Sequence, residues 1–129
     1  MTRVFIAFFF LNVSSACFLF SEWPSYGGPH RNQVSNEKGL RVIWENDEPK
    51  VIWELDVGLG YSSIVESDGL VYTQGNKNSR NTLYCVKAES GNIIWKHTYP
   101  CKKDPKYFDG GSRSTPAIAN KMVFLCSHE

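Results

Sequence analysis

The sequence predicts an all-β fold, a β-propeller of four-stranded antiparallel blades, and three observations carry that prediction. Pro49-Lys50-Val51-Ile52-Trp53 recurs 42 positions on as Gly91-Asn92-Ile93-Ile94-Trp95. Ser62-Ser63-Ile64-Val65 and Leu70-Val71-Tyr72-Thr73 recur 52 positions on as Ser114-Thr115-Pro116-Ala117 and Met122-Val123-Phe124-Leu125. Between these anchors lie short β-branched and aromatic runs, punctuated by turn residues and without a helical apolar period. The growth of the offset from 42 to 52 places about ten extra residues between the Trp and the Ser-Thr of the later copy.

Residues 1–21 have the layout of a secretory signal peptide: Arg3, the apolar run Val4 to Leu11, then Ser14-Ser15-Ala16. A membrane anchor is the alternative, because Val4 to Phe20 is 17 residues, at the short end for a span, and contains Asn12 and two serines. Cys17 follows small residues, as the lipid-bearing cysteine of a lipoprotein does. Ser14, however, stands where such sites usually carry a bulky aliphatic residue.

Residues 22–49 form an irregular lead-in. Trp23-Pro24-Ser25-Tyr26-Gly27-Gly28-Pro29 and the turn residues after it give no periodic apolar face, so Trp23, Tyr26 and Trp44 are expected to pin it. A partial propeller then occupies residues 50–129. Lys50 to Leu55 reads as one strand. The blade at 61–98 begins with Tyr61 to Glu66, turns at Ser67-Asp68-Gly69, and returns through Leu70 to Gln74. Gly75 to Arg80 reads as a polar loop, Thr82 to Lys87 as the third strand, and Asn92 to Thr98 as the fourth. A half blade follows at 113–127, with strands Thr115 to Ala119 and Lys121 to Ser127.

A lone four-stranded sheet leaves two faces uncovered, whereas a propeller blade buries both against its neighbours. Lys50 to Leu55 matches a blade's last strand without its earlier ones, so it is expected to close the ring. The count of one blade, half a blade and a closing strand predicts the N-terminal fragment of a longer protein; a small protein that oligomerises into a ring is the alternative.

Lys and Arg total 14 against 13 Asp and Glu, so neither a nucleic-acid stripe nor an acidic tail is expected. Export would permit disulfides, but Cys85, Cys101 and Cys126 are odd in number once Cys17 is set aside. Cys85, within a strand, is expected to be a small buried hydrophobe.

The run Leu83-Tyr84-Cys85-Val86-Lys87-Ala88-Glu89-Ser90-Gly91-Asn92-Ile93-Ile94-Trp95 resembles the tryptophan-docking motif of the quinoprotein-like (PQQ-like) β-propeller repeat family. Cys85, Lys87 and Ser90 stand where the motif has Ala, Asp and Thr. The openings Trp23 to Asn32, Gly60-Tyr61-Ser62-Ser63 and Arg113-Ser114-Thr115-Pro116 are similar to those of secreted bacterial members. The resemblance implies that Trp53, Gly91 and Trp95 dock blades, with Gly91 turning between strands and Trp95 packing its indole between sheets.

Enzymatic members of that family resemble one another in binding pyrroloquinoline quinone with calcium, beside a vicinal disulfide. This chain has no adjacent cysteines and no evident calcium cluster, so no cofactor is assigned to these residues, and the resemblance leaves pyrroloquinoline quinone with calcium open for the full-length protein. The insertion Asp104 to Arg113 contains a candidate ligand loop: Gly110 and Gly111 could open backbone N–H groups to an anion, with Arg113 as a bidentate partner for carboxylate or phosphate. An ordinary surface loop with a structural Arg113 is the other reading. His30, His97 and His128 lack metal-pair spacing, Cys126-x-His128 falls short of a zinc set, and Glu45, Asp47 and Glu48 read as a solvated turn. Blade packing accounts for the four tryptophans, with Trp23 the one open to doubt.

Two functions are expected. The first is a non-catalytic exported scaffold, in the periplasm or cell envelope, that binds a protein or envelope partner. The second is a quinone-dependent alcohol or sugar dehydrogenase of the periplasm.

Overall fold

The computed structural model describes residues 22–44, 48–106 and 109–128. The readings placed on 1–21 (Cys17 included) and on Glu45, Asp47, Tyr107, Phe108 and Glu129 lie outside the described residues. Among those described, every regular element is a strand: β1 (Val65–Ser67), β2 (Leu70–Lys77), β3 (Arg80–Lys87), β4 (Ile93–Pro100), β5 (Ala117–Ala119) and β6 (Met122–Phe124). They form a four-stranded antiparallel sheet in the order β1-β2-β3-β4 and a separate β5-β6 hairpin.

Side chains alternate across a strand, so the register sorts the larger sheet into two faces. On one face Val65, Tyr72, Cys85 and Trp95 line up across all four strands. Behind them come the rows Gln74, Leu83, His97 and Asn76, Asn81, Tyr99. The first row is the apolar core. Val65, Tyr72 and Cys85 are buried, and Ile118 and Val123 of the hairpin pack against them. Cys85 is fully buried, as its place in a strand led one to expect.

The opposite face is crossed by residues 53–58. Gly75 is needed there, because a Cβ would lie 2.0 Å from the Val57 carbonyl oxygen. The end of the crossing is tied to β2 by Lys77 Nζ, 2.7 Å from Asp56 Oδ2. That hydrogen bond, then the Gly58 N–H, holds the Asp56 carboxyl below its usual range. The sheet is therefore a middle layer, with residues 53–58 on one side and the hairpin on the other.

Several strand boundaries differ from the sequence reading. Lys50 to Leu55 has no ladder partner among the described residues and is not paired as a strand here, and Val51 and Ile52 are exposed. Gly75 to Arg80 is not a loop. β2 continues to Lys77, and the reversal is confined to Asn78-Ser79, both at positive φ, between the paired residues Lys77 and Arg80. Tyr61 to Glu66 shortens to β1 because its first half leaves β2. Leu59 still bridges Asn76, and Val65 pairs with Tyr72. Three residues of β2 between these pairs (73–75) thus face five of the other strand, so 60–64 bows outward. The predicted Lys121 to Ser127 strand narrows to β6, since the Cys126 carbonyl accepts from the Ser114 hydroxyl instead of a ladder partner.

The outward bow meets the second copy of the repeat. Gly60 forms a parallel bridge with Ser112, and the Ser63 N–H donates to Thr115 Oγ1 at 3.1 Å. The lead-in is turn-rich, as expected. Trp23 N–H and carbonyl both bond to Glu66 at 3.0 Å, on the edge of β1 away from β2, and the ring covers Gly28. Tyr26 is 65% exposed, so the pinning expected of it falls to Trp23.

Candidate functional site

Asn76 and Asn81 are 1% and 2% exposed, and burial of such amides is tolerable only with hydrogen-bond partners. They begin a continuous chain. Asn76 Nδ2 donates to the Cys101 carbonyl at 2.9 Å and to Asn81 Oδ1 at 2.7 Å. Asn81 Nδ2 donates to the Tyr99 hydroxyl at 3.2 Å, which donates to Gln74 Oε1 at 3.3 Å. Gln74 Nε2 reaches through the bow to the carbonyl and hydroxyl of Ser114, both at 2.7 Å. The Ser114 hydroxyl in turn donates to the Cys126 carbonyl. Each hydroxyl in this chain both accepts and donates, which fixes the direction of the whole network.

Two members of the network, Asn81 and Ser114, line a small cleft of about 160 Å³ together with Arg113, Cys126, Ser127 and His128. Arg113 comes from the anticipated ligand loop. Its Nη2 donates to the Asp104 carbonyl at 2.6 Å, and its Nη1 lies 3.5 Å from Asp104 Oδ2. The guanidinium thus braces the loop that carries it while contributing positive charge to the cleft wall. Gly110 and Gly111 are buried at positive φ. A Cβ on Gly111 would lie 2.6 Å from the Leu59 carbonyl oxygen, and one on Gly110 would lie 3.1 Å from that of Asp104. Both glycines allow backbones to pack closely; the turn they make is a joint between the insertion and residues 59–60.

The docking residues divide. Trp53 and Gly91 meet: a Cβ on Gly91 would lie 2.7 Å from the indole, and Trp53 Nε1–H donates to the Ala88 carbonyl at 2.8 Å. Trp95 sits elsewhere, tilted against Tyr72 with ring centroids 5.9 Å apart. It lines an open groove of about 400 Å³ with Leu83, His97, Tyr99, Val123 and Leu125.

The sequence reading weighed Cys101 and His128 separately and did not bring them together. Cys101 is 1% exposed, with Sγ 3.5 Å from Ser127 Oγ and 3.6 Å from His128 Nδ1. Cys85, Cys101 and Cys126 are all free thiols. The available signal was the alternation Tyr72, Gln74, Asn76, which puts two amides on the core face once β2 is extended to Lys77.

No family model, curated protein or solved structure matches the chain.

Proposed function

We propose that this chain carries blades of an exported β-propeller of the PQQ-like class, and that it serves as a non-catalytic scaffold for a protein or envelope partner. The observation that carries the reading is the meeting of the two repeats. Gly60 with Ser112, and Ser63 with Thr115, are both pairs of residues 52 positions apart, and the first is a parallel bridge. Equivalent residues side by side and parallel are what successive blades around an axis require. The layering agrees: Trp53 lies on one face of the four-stranded sheet and the β5-β6 hairpin on the other.

A scaffold role is favoured over a dehydrogenase because the polar groups at the insertion bond one another. Arg113 holds Asp104, and the amides of Gln74, Asn76 and Asn81 brace three separate segments. In-cell photocrosslinking of the full chain, followed by fractionation and mass spectrometry, is expected to give a discrete adduct with an envelope protein. Saturable quenching of tryptophan fluorescence by pyrroloquinoline quinone, dependent on calcium, would replace this reading with the oxidoreductase.

A further inference from the structure

We propose that Cys101 is a modifiable thiol, with His128 as its base, that exchanges with small anionic disulfides. The geometry is that of a nucleophile and a general base within reach, 3.6 Å from Sγ to Nδ1. The sulfur is held from behind. The Cys101 N–H donates to the Ser79 carbonyl at 3.0 Å, and its carbonyl accepts from the buried Asn76 amide at 2.9 Å. On the other side, Ser127 and His128 lie against the sulfur and line the cleft. They follow the end of β6 at Phe124 and belong to no ladder, so a small displacement uncovers Sγ while the rest of the sheet stays folded.

The cleft volume of about 160 Å³ is some five waters' worth, at about 30 Å³ each, which suits one half of a small disulfide. Arg113 lines the cleft and Lys102 follows Cys101 in sequence, and such positive charge favours an anionic reagent. In the exchange, Nδ1 takes the thiol proton as Sγ attacks one sulfur of the disulfide. The new S–S bond forms, the old one breaks, and the imidazolium returns the proton to the departing thiolate. The products are a mixed disulfide on Cys101 and one free small thiol, with no other oxidant required.

The test is the rate of modification of the full chain by 5,5′-dithiobis(2-nitrobenzoate), in a Cys126→Ser background. Trypsin places Cys85 and Cys101 on separate peptides, 81–87 and 97–102, so mass spectrometry resolves each rate. Cys101 is expected to react in the folded protein while Cys85 stays silent, and His128→Gln, which keeps the cover over the sulfur but not the base, is expected to slow Cys101 by about tenfold or more without moving Tm. Equal Cys101 rates with and without His128 would overturn the proposal. So would Cys101 and Cys85 becoming reactive together, because that exposes both through global unfolding.

Discussion

Tyr72 shows how burial turns a single residue into a pH-dependent element of stability. It is 8% exposed, and burial first, then its hydrogen bond with Cys85, pushes the phenol up to about 12. Because the folded state holds the proton longer than the unfolded one, the contribution is complete below pH 10 and lost as pH rises toward 12. The two-unit shift corresponds to about 3 kcal/mol across that window. The Cys85 thiol, also raised mainly by burial, acts in the same direction. Urea unfolding from pH 9 to 12 is expected to lose stability steeply in the wild type and less so in Tyr72→Phe. Trp53 and Gly91 form a second residue-scale unit. Gly91 has φ +71°, so Gly91→Ala imposes left-handed strain as well as a collision with the indole. Its expected cost is about 2 kcal/mol. Trp53→Phe removes the bond to Ala88, at about 1 kcal/mol. A double-mutant cycle is expected to show less than additive loss, since the smaller ring relieves part of the collision.

At the scale of the element, three of the four hairpins turn on two residues of positive φ, Asp68-Gly69, Asn78-Ser79 and Asn120-Lys121, while β3 and β4 are joined by a longer loop with Gly91 alone at positive φ. Positive φ at both central positions defines the type I′ turn, whose twist matches that of the flanking strands. Only the first carries the glycine that announces such a turn, and only the first was legible as a tight turn. Asn78-Ser79 was hidden in a polar stretch that reads as a loop, although Gln74 and Asn76 are polar because the network needs them. The strand content and the order of β1 to β6 were legible, since β-branched and aromatic runs mark them. The bow at 60–64 was not, because its cause is a partner 52 residues away. The candidate cleft was legible only through Arg113. Its other walls are Asn81 of β3, Ser114 and the segment after β6, and the sequence does not show that these three meet. Ser79 and Lys121 adopt a left-handed conformation that costs a non-glycine residue about 1 kcal/mol. Ser79→Gly and Lys121→Gly are each expected to raise stability by about 0.5 kcal/mol or more, after the entropy of the unfolded glycine is counted. Paired thermal and urea melts of the single variants check this, and a loss of stability at both sites would contradict the turn assignment.

Across the whole molecule, the 52-residue offset governs more than the contact between the two repeats. Glu66 and Ile118 are also 52 positions apart, and consecutive lead-in residues bind them. Trp23 exchanges both backbone hydrogen bonds with Glu66, and the Pro24 carbonyl accepts from the Ile118 N–H at 2.8 Å. The lead-in therefore spans equivalent positions of the two sheets, along the edge of β1 that β2 leaves open. In the proposed propeller that edge faces the ring axis, which makes the segment a strap across the inner strands. It also supplies polar partners to amides that would otherwise sit at an unpaired sheet edge. Amide hydrogen exchange tests the strap directly, since its two anchor points lie in different sheets. The Glu66 and Ile118 amides are expected to be protected in the wild type and to lose protection together in Trp23→Ala, which removes the ring that covers Gly28. The amides of Cys85 and Val86, within the β2-β3 ladder, are expected to keep theirs. Acceleration at Glu66 alone would mean that Pro24 holds Ile118 independently of Trp23, and that the lead-in acts as two separate contacts.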